Sequence, residues 1–538
     1  MRKVKLQGFY SSQLLPGIVT PWNSEDVGIH SALFRAGSMS QLKSVFRRSI
    51  RRLTWHAGQQ RPRMTGIERS VSEKEGRTDK DSSRYSGQFF FEYLVVVALK
   101  KSGDVYEPQI TYQFPKRENL MRSQKEEEEC LLKAIPLFCF PDGNTWAPLT
   151  EYESETFSFV LTNVDGSRKF GYCRSLLSLL IGQPPHLWDQ PGEPPLDCLQ
   201  GQSILPQLWS PELHAVLQPQ GGAPRLPEVF CIISCLGCFG LFSKILDEVE
   251  KRRQICMAAI YPFMQGLREA SFPAPGKTVC VKSFIPESGT EIIELTRPLD
   301  SRLEHVDFVS LFKYLSEKHI VDIFASMLLE RRVIFLAEEL STLSQCIHAV
   351  AALLYPFTWQ HTYIPVLPKI MLDTVCSPTP FVVGVQRQFL EEVQELPIEE
   401  GLMVDLHKRA FLKEVGDEHQ LLPNKLNKEL LETLKHQRTT CQSSEELNKL
   451  VTNSFVVFFV KIVGHYSAHL KRNKDSIIFQ EREFLKSVTS KSIRKFLKVF
   501  MRTQMFSLFV EELQGHPFSG EGLFEQKIKE YHENKKVK

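Results

Sequence analysis

Residues 328–385 constrain the fold more than any other segment, because short β-rich runs alternate there with one helical pattern. The run at 332–337 (RVIFLA) predicts a buried strand. Ser341 is a typical N-cap residue, and the helical pattern that follows it ends near Pro356. Apolar residues at 363–366 predict a second strand. Two buried strands that flank a helix form a right-handed βαβ unit, so we predict a parallel sheet covered by helices.

The upstream third of the chain also predicts strands. From Gln88 the sequence QFFFEYLVVVAL is a continuous β-rich run, which is typical of a strand buried on both faces. Residues 156–162 alternate along the chain, an Asp-Gly pair follows at 165 and 166, and the chain returns through 168–173, which predicts a hairpin.

Several blocks follow one another in a characteristic order: IPLFCFPDG (135–143), TFSFVLTNVDGSRKFGYC (156–173), LLYPFTWQHTYIPVLP (353–368), PTPFVVGV (378–385), FFVKIVGHY (458–466) and KFLKVFMRTQMFSLFV (495–510). Together these blocks resemble DENN-domain proteins, and within that family they are most similar to the second subfamily. The resemblance implies a tripartite α/β fold. An N-terminal longin-like module is followed by an α/β sheet module with helices on both faces and by a C-terminal helical part.

The resemblance also implies the domain boundaries. We expect the upstream module at 88–277, the central module at 299–431 and the downstream helical module at 433–515. Residues 177–222, rich in Pro, Gln, Leu and Trp, form an atypical insertion in the upstream module. A loop of this length is uncommon inside a compact domain, so whether the insertion abolishes activity stays open.

Charge and hydropathy exclude two classes of protein. The net charge of +3 is almost balanced and predicts no nucleic-acid-binding surface over the whole chain. The basic N-terminus lacks the apolar segment of a signal peptide. The longest apolar run, at 229–242, is shorter than the ~18 residues that a membrane-spanning helix needs. We therefore expect a soluble, intracellular chain, and the family resemblance implies a cytoplasmic protein that associates peripherally with endosomal or vesicle membranes.

Residues 1–87 are predicted to be a disordered N-terminal region with one basic amphipathic helix. Apolar residues recur there at helical spacing from 42 to 53, and the intervening positions carry Arg47, Arg48, Arg51 and Arg52. Such a helix is typical of contact with an anionic membrane surface. A solvated tail without a dedicated role is the alternative interpretation.

The cysteines argue against a metal site and a disulfide framework. The 12 cysteines are scattered, and only Cys231, Cys235 and Cys238 form a tight group. A tetrahedral zinc site would need a second ligand pair nearby, and the group lies inside an apolar run. We therefore predict that these cysteines are packing residues, and we expect neither a metal nor a cofactor.

Motifs of covalent catalysis are absent from the sequence. Gly276, Lys277 and Thr278 suggest a phosphate-binding loop, but the motif requires glycine at position 271, where this chain has Ser271. His465 and His469 have the spacing of two metal ligands without the glutamate of the HExxH motif. These patterns favour a function performed by binding surfaces.

Nucleotide exchange on a small GTPase is such a function, and the resemblance implies it. DENN-domain proteins are guanine nucleotide exchange factors for Rab GTPases, which they bind in the GDP-bound or nucleotide-free state. The second subfamily points to a late-endosomal Rab, the ninth. The alternative is a non-catalytic Rab-binding scaffold or membrane adaptor that retains the fold.

Residues of two family blocks are candidates for Rab binding. Aromatic and polar side chains on proline-stiffened turns are common interface anchors. The candidates are Trp359, Gln360, His361, Tyr363, Pro378, Pro380 and Phe381. The alternative is that these residues specify the architecture of the fold and contact no partner.

Overall fold

The computed structural model of the chain describes residues 89–117, 122–143, 146–149, 152–163, 167–178, 225–255, 259–285, 289–298, 300, 307–472, 477–515 and 522–537. The predicted N-terminal region with its basic helix, the Asp-Gly turn at 165 and 166, and residues 179–222 of the predicted insertion lie outside these ranges.

Five antiparallel strands form the upstream sheet in the order β2-β1-β5-β4-β3. They are β1 (Tyr93–Ser102), β2 (Val105–Phe114), β3 (Glu155–Thr162), β4 (Arg168–Leu177) and β5 (Pro227–Ser234). The predicted buried strand is confirmed in β1, where Tyr93 through Val97 are buried. The predicted hairpin is confirmed by the pairing of β3 with β4, with Thr162 opposite Arg168.

Helices cover both faces of the upstream sheet. They are α1 (Arg122–Cys139), α2 (Phe239–Ile255) and α3 (Ile260–Glu269). On one face, Phe138 of α1 stacks on Phe159 of β3 with ring centroids 5.0 Å apart. On the other, Phe242 of α2 stacks on Tyr172 of β4 at 4.3 Å. A separate hairpin, β6 (Thr278–Ile285) and β7 (Gly289–Thr296), adds Val281 and Leu295 to the same core as α2 and α3.

The central sheet has the order β12-β11-β8-β10-β9. Its strands are β8 (Val333–Ala337), β9 (Thr362–Ile364), β10 (Phe381–Gln386), β11 (Leu402–Asp405) and β12 (Ala410–Lys413). Four of them are parallel, and β12 is an antiparallel edge strand. Every residue of β8 and of β10 is buried, as a parallel sheet covered on both faces requires.

The predicted βαβ unit is confirmed, but its helix begins at Leu340, so the prediction that Ser341 is the N-cap is wrong. The helices of this module are α4 (Phe308–Tyr314), α5 (Glu317–Leu328), α6 (Leu340–Ala352) and α7 (Leu390–Glu395). The chain passes from β8 through α6 to β9, and β10 then inserts between these two parallel strands. Asp307 and Ser316 cap α4 and α5 by accepting hydrogen bonds from backbone amides of the first turn.

The predicted C-terminal helical part is also confirmed. It contains α8 (Asn424–Thr440), α9 (Ser444–Val463), a short hairpin of β13 (Leu470–Arg472) and β14 (Ile477–Phe479), and then α10 (Glu481–Ser487), α11 (Lys491–Phe500), α12 (Gln504–Gly515) and α13 (Leu523–Val537). Phe357, which follows α6, packs against Phe459 of α9 and Phe509 of α12. The central and downstream modules therefore share one hydrophobic core.

One helical segment in the described part of the chain, Ser444–His469, is long and apolar enough to cross a membrane, and half of its most apolar window is buried inside the protein. Within it, Phe455, Phe458 and Phe459 all pack edge to face on Phe324 of α5. Packing in the shared core therefore accounts for its apolar composition.

Candidate functional site

The two groups of candidate residues meet at one edge of the central sheet. The turn at 358–361 immediately precedes β9, and the loop at 377–380 immediately precedes β10. These strands are parallel neighbours with Thr362 opposite Phe381. We call the side of the sheet on which β8, β9, β10 and β11 begin the amino edge.

Burial divides the candidate residues into two sets. The side chains of Trp359, Tyr363 and Phe381 are only 2%, 6% and 0% exposed. These three aromatic residues support the amino edge from inside the protein, as the architectural interpretation expects. The remaining candidates reach solvent at least in part and are Gln360, His361, Pro378 and Pro380. Contact of any of the seven with a Rab stays a prediction.

Hydrogen bonds hold the Trp359 turn in place and join it to the upstream sheet. The indole Nε1 of Trp359 donates to the carbonyl oxygen of Thr362 at 3.1 Å. The carbonyl oxygen of Trp359 accepts from Nη2 of Arg168, the first residue of β4, at 2.6 Å. The amide of Gln360 donates to the carbonyl oxygen of Thr358 at 2.8 Å. The turn is therefore fixed from within and from the neighbouring module.

Glu330 joins the same turn to the downstream module. Its carboxylate accepts hydrogen bonds from the backbone amides of Gln504 and Met505, at 3.0 and 2.9 Å, where α12 begins. A carboxylate at a helix N-terminus satisfies otherwise unpaired amides and complements the helix dipole. Its Oε2 also lies 3.0 Å from Nε2 of His361, and both side chains are 10% exposed. The Trp359 turn is thus the junction of all three modules.

The two residues after Glu330 tie further segments to the amino edge. Arg331 forms a bidentate pair with Asp417, which lowers the pKa of that carboxyl group through direct hydrogen bonding. Arg332 donates to the carbonyl oxygens of Glu400 and Pro378, at 2.7 and 3.3 Å. Sequence reasoning missed these residues. The sequence signal that could have identified them is the run of three charged residues at 330–332, directly before the buried strand β8.

A buried polar chain runs beneath the junction. Oγ of Ser158 in β3 lies 3.0 Å from Nε2 of His348 in α6, and the other ring nitrogen lies 2.7 Å from the hydroxyl of Tyr363. Burial lowers the pKa of His348 to about 3, with a smaller contribution from the nearby Arg168 charge. Burial also raises the pKa of Tyr363. The chain is therefore electrically neutral near pH 7.

The Ser158–His348 pair has the composition of a nucleophile and its base, yet its surroundings do not suit hydrolysis. Ser158 is 3% exposed, so a substrate cannot reach its hydroxyl. A nucleophile must reach the electrophilic atom of its substrate, and its base must reach the nucleophile. The pair therefore joins the upstream sheet to α6, and Ser344 of α6 adds a contact to the amide of Ser158 at 3.4 Å.

Charged residues also gather at the opposite edge of the central sheet, where the parallel strands end. Arg387 lies between Glu338 and Asp405, with N–O distances of 2.9 and 3.3 Å. His407 approaches Glu338 at 3.5 Å. Ligands of open α/β sheets bind beyond the carboxyl ends of the strands. Here the charged side chains pair with one another, so this edge presents a polar surface.

Comparison with known proteins identifies the three modules. Family models match the chain in order: the uDENN domain at 108–176, the DENN (AEX-3) domain at 225–409 and the dDENN domain at 479–527. The chain belongs to the DENN domain family. Proteins of this family generally engage Rab GTPases and are known as their exchange factors.

Full-length relatives agree with the assignment. Human DENN domain-containing protein 2D is 60% identical over 455 residues, which cover 84% of this chain and 88% of the relative. The mouse protein of the same name is 58% identical over 473 residues, covering 87% and 92%. Human DENN domain-containing protein 2B is 51% identical over 453 residues, covering 82% of this chain and 36% of the relative.

The match to the DENN domain begins just before β5, the central strand of the upstream sheet. Because β5 pairs with β1 on one side and with β4 on the other, the boundary of the family model cuts through a single folded sheet. The boundaries that we predicted from the sequence stay predictions.

The cysteines that cluster in the structure of this DENN chain are not the ones that lie close together in the sequence. Cys238 is buried, as a packing residue should be, whereas Cys235 is exposed, so the prediction that Cys235 is a packing residue is wrong. Cys231 instead meets Cys139 and Cys173, and the three Sγ atoms lie within 4.8 Å of one another. Burial raises the pKa of the Cys139 and Cys173 thiols. Burial acts to raise the pKa of Cys231 as well, but hydrogen bonds with Cys139 and Cys173 lower it to about 6. The protonated thiols of Cys139 and Cys173 pack as small apolar groups. The expected absence of a metal stays a prediction.

The surroundings of the two remaining motifs, the Gly276 turn and the pair His465 and His469, indicate structural roles. Gly276 lies in a turn that leads into strand β6, whereas a phosphate-binding loop leads into a helix. His465 stacks on the ring of Phe484 at 4.3 Å, and His469 meets the same ring edge to face at 5.7 Å. Both histidines therefore pack around one aromatic ring.

Proposed function

We propose that this chain is a guanine nucleotide exchange factor that promotes GDP release from a Rab GTPase in membrane trafficking. One observation carries the proposal: the three DENN modules occur in order and are joined at the Trp359 turn by Arg168 and Glu330. A joined body of this kind is suited to hold a GTPase in one fixed conformation.

Exchange requires no acid, base or metal from the protein. A factor that binds the nucleotide-free GTPase more tightly than the loaded one weakens nucleotide binding by the same ratio, because linkage is reciprocal. The differential affinity is greatest when the binding surface does not rearrange to fit the loaded form. The partly buried links beneath the junction support such rigidity, since hydrogen bonds of His348 and Arg168 cross the boundary between modules.

The partly solvent-accessible candidates at the amino edge are the Rab contacts that we favour. Gln360 and His361 lie on the fixed turn, and Pro378 and Pro380 lie on the adjoining loop. Among Rabs we propose the late-endosomal ninth as the substrate. The chain would then act in the cytoplasm at the surface of endosomes or vesicles.

The test is release of a fluorescent GDP analogue from a panel of purified Rabs, including the ninth. The full chain is compared with a variant that lacks residues 177–222 and with the double variant Gln360→Ala/Pro378→Asp. A matched control, Glu338→Ala/His407→Ala, alters the opposite edge of the same sheet. We expect the full chain to accelerate release from one Rab, the amino-edge variant to lose at least tenfold, and the control to keep most activity.

Each other outcome redirects the proposal. Acceleration only after removal of 177–222 would identify the insertion as inhibitory. Silence of both forms, together with equal affinity for loaded and nucleotide-free Rab, would overturn exchange and favour the non-catalytic scaffold. If the amino-edge variant and the control lose exchange activity equally, the amino edge is not the Rab contact surface, although the chain is still an exchange factor.

A further inference from the structure

We propose that one face of α11 in the downstream module is a contact surface for anionic phospholipid bilayers. Lys491, Lys495, Lys498 and Arg502 form this surface, which we call the α11 cation stripe. It lies on a different module from the N-terminal arginines predicted to contact membranes. The inference deepens the proposed function by orienting the protein on a membrane, but lipid binding itself does not depend on exchange activity.

The stripe follows from the helix geometry. Its members are spaced by four, three and four residues, which places them along one side of a helix. The first three belong to α11, and Arg502 follows in the turn after it. All four side chains are exposed. The opposite side of α11 carries Phe496, Leu497 and Phe500, which are buried in the shared core. Packing of these three residues fixes the direction in which the stripe faces.

The charge of the stripe is uncompensated. In the described part of the protein, none of the four cations has a carboxylate partner within 4.0 Å. Other lysines of the same module are paired with acids: Lys461 with Glu429, Lys486 with Glu483 and Lys527 with Glu530. The α11 sequence KSIRKFLKVF contains no acidic residue at all. Its remaining cation, Arg494, is occupied by the carbonyl oxygen of Val488.

The chemistry of this face fits a lipid surface. Clusters of four or more lysines and arginines on an amphipathic helix bind anionic headgroups through the negative surface potential of the bilayer. Val499 lies beside the stripe, one turn from Lys495, and is 51% exposed. An exposed apolar side chain among cations can enter the headgroup region while the cations contact phosphates. The chain as a whole carries only +3, so the positive charge is a local property of this face.

The test measures binding of the full chain to phosphatidylcholine vesicles with and without one-quarter phosphatidylserine, by co-sedimentation. Lys491→Gln/Lys495→Gln/Lys498→Gln removes three cations of the stripe. The matched control Lys425→Gln/Lys428→Gln/Lys435→Gln removes three exposed lysines from α8, which also carries glutamates. Arg47→Gln/Arg48→Gln/Arg51→Gln/Arg52→Gln measures separately the contribution of the basic helix that the sequence predicts near the N-terminus.

Each cation near an anionic surface changes the affinity about fivefold, so the stripe variant should bind anionic vesicles about a hundredfold more weakly. The control should change the affinity less than threefold, and binding of the parent chain should weaken as salt rises from about 0.1 to about 0.5 M. Neutral vesicles should bind neither form. Exchange measured in solution without vesicles should be equal in the stripe variant and the parent, which separates this proposal from the proposed function.

Three results would overturn the proposal. The first is vesicle binding by the stripe variant at the parent affinity. The second is an equal loss in the α8 control, which would show that only the total charge matters. The third is binding of soluble inositol phosphates with no binding of anionic vesicles, which would assign the stripe to a free phosphate ligand.

Discussion

Nη2 of Arg168 donates a hydrogen bond to the carbonyl oxygen of Trp359, and this 2.6 Å contact joins the first residue of β4 to the turn before β9. The guanidinium group also lies over the ring of Tyr363, 5.3 Å from its centroid. Burial lowers the pKa of Arg168, while the neighbouring Tyr363 opposes that shift. A partly buried cation with one strong acceptor therefore helps to set how the upstream module meets the central module.

Arg168→Ala should destabilise the protein by about 1–3 kcal/mol, because the carbonyl oxygen of Trp359 loses a charged donor in a buried position. Arg168→Lys should fall between the parent and Arg168→Ala. Urea unfolding measures the change. The control is Arg122→Ala, whose side chain is 94% exposed and pairs with Glu126 on the surface. Its cost should stay below about 0.5 kcal/mol. Equal midpoints for Arg168→Ala and Arg122→Ala would contradict a structural role for the contact.

Glu330 should be needed for the start of α12. Glu330→Ala removes the acceptor of two backbone amides and should cost about 1–2 kcal/mol, as loss of a helix cap does. Amide hydrogen exchange at Gln504 and Met505 should become faster, since these amides donate to Glu330. Glu330→Gln keeps one acceptor oxygen and should lose less. Unchanged exchange at both amides in Glu330→Ala would show that α12 begins without this cap.

We expect His348 to make the free energy of unfolding decrease as the pH falls. Its pKa is about 3 in the folded protein and near the ordinary value of 6.5 when unfolded. The unfolded state therefore binds a proton first as the pH falls, and stability is present above about pH 6.5 and lost below it. The loss should approach ~1.4 kcal/mol per pH unit.

The measurement is the unfolding free energy from pH 7 to about pH 4 for the parent and for His348→Gln. The difference between the two slopes isolates this group from other titrating residues, such as Asp322, whose pKa burial raises to about 6. The variant should show the shallower slope. Parallel slopes for parent and His348→Gln would show that the buried imidazole takes up its proton as readily as a solvated one.

The elements that sequence patterns predicted are those whose signal is local. Strand β8, helix α6 and strand β9 follow one another within 32 residues, and apolar periodicity marks each of them. The β3–β4 hairpin is likewise a contact between neighbours in the chain. Family motifs added the order of the modules, and the matches to uDENN, DENN and dDENN confirm that order.

No local sequence pattern predicts the junction of the three modules at the Trp359 turn. Arg168 meets Trp359 across 191 positions of the sequence, and Glu330 meets Met505 across 175. The three buried thiols are similarly dispersed, at Cys139, Cys173 and Cys231. Exposure is also a tertiary property. Trp359, Tyr363 and Phe381 have the composition of an interface, but the segments that bury them lie elsewhere in the chain.

Cys235 should react slowly with alkylating agents despite its exposure. Its Sγ donates to a carboxylate oxygen of Glu92 at 2.8 Å. Partial burial, that hydrogen bond and the adjacent negative charge raise the pKa of Cys235 to about 11. The thiolate is the reactive form, so less of it is present at pH 8 than for an ordinary thiol with a pKa of ~8.5. Glu92→Gln should speed alkylation of Cys235 at least tenfold.

Peptide mass spectrometry after timed treatment with iodoacetamide resolves each cysteine. Cys280 is also exposed and lies on the separate β6–β7 hairpin, so its rate should be the same in both proteins. The buried Cys139, Cys173 and Cys231 should stay unmodified until the protein unfolds. Equal rates for Cys235 in the parent and in Glu92→Gln would contradict control by the carboxylate.

The PTPFVVGV block carries a glycine, Gly384, at a position where any side chain would clash with its neighbours. It lies in the middle of β10, under α6. A methyl group at this position would lie 2.0 Å from the carbonyl oxygen of Pro365 and 2.6 Å from Cδ1 of Ile347. Pro365 directly follows β9 and Ile347 belongs to α6, so neither atom can move away without shifting β9 or α6. Gly384→Ala should therefore cost about 3 kcal/mol or more, as overpacking in a close-packed core does.

Gly266→Ala is the matched control, because the same methyl group there would meet its nearest atoms at 3.7 and 3.8 Å, which are ordinary contacts. Gly266 lies within α3, where alanine is the better helix former by about 1 kcal/mol, so this variant should be as stable as the parent or more stable. Urea unfolding of the two variants separates a steric role for Gly384 from a general intolerance of alanine. A small loss in Gly384→Ala would mean that α6 can withdraw from β10. The Trp359 turn that follows α6 would then be less firmly held than its hydrogen bonds indicate.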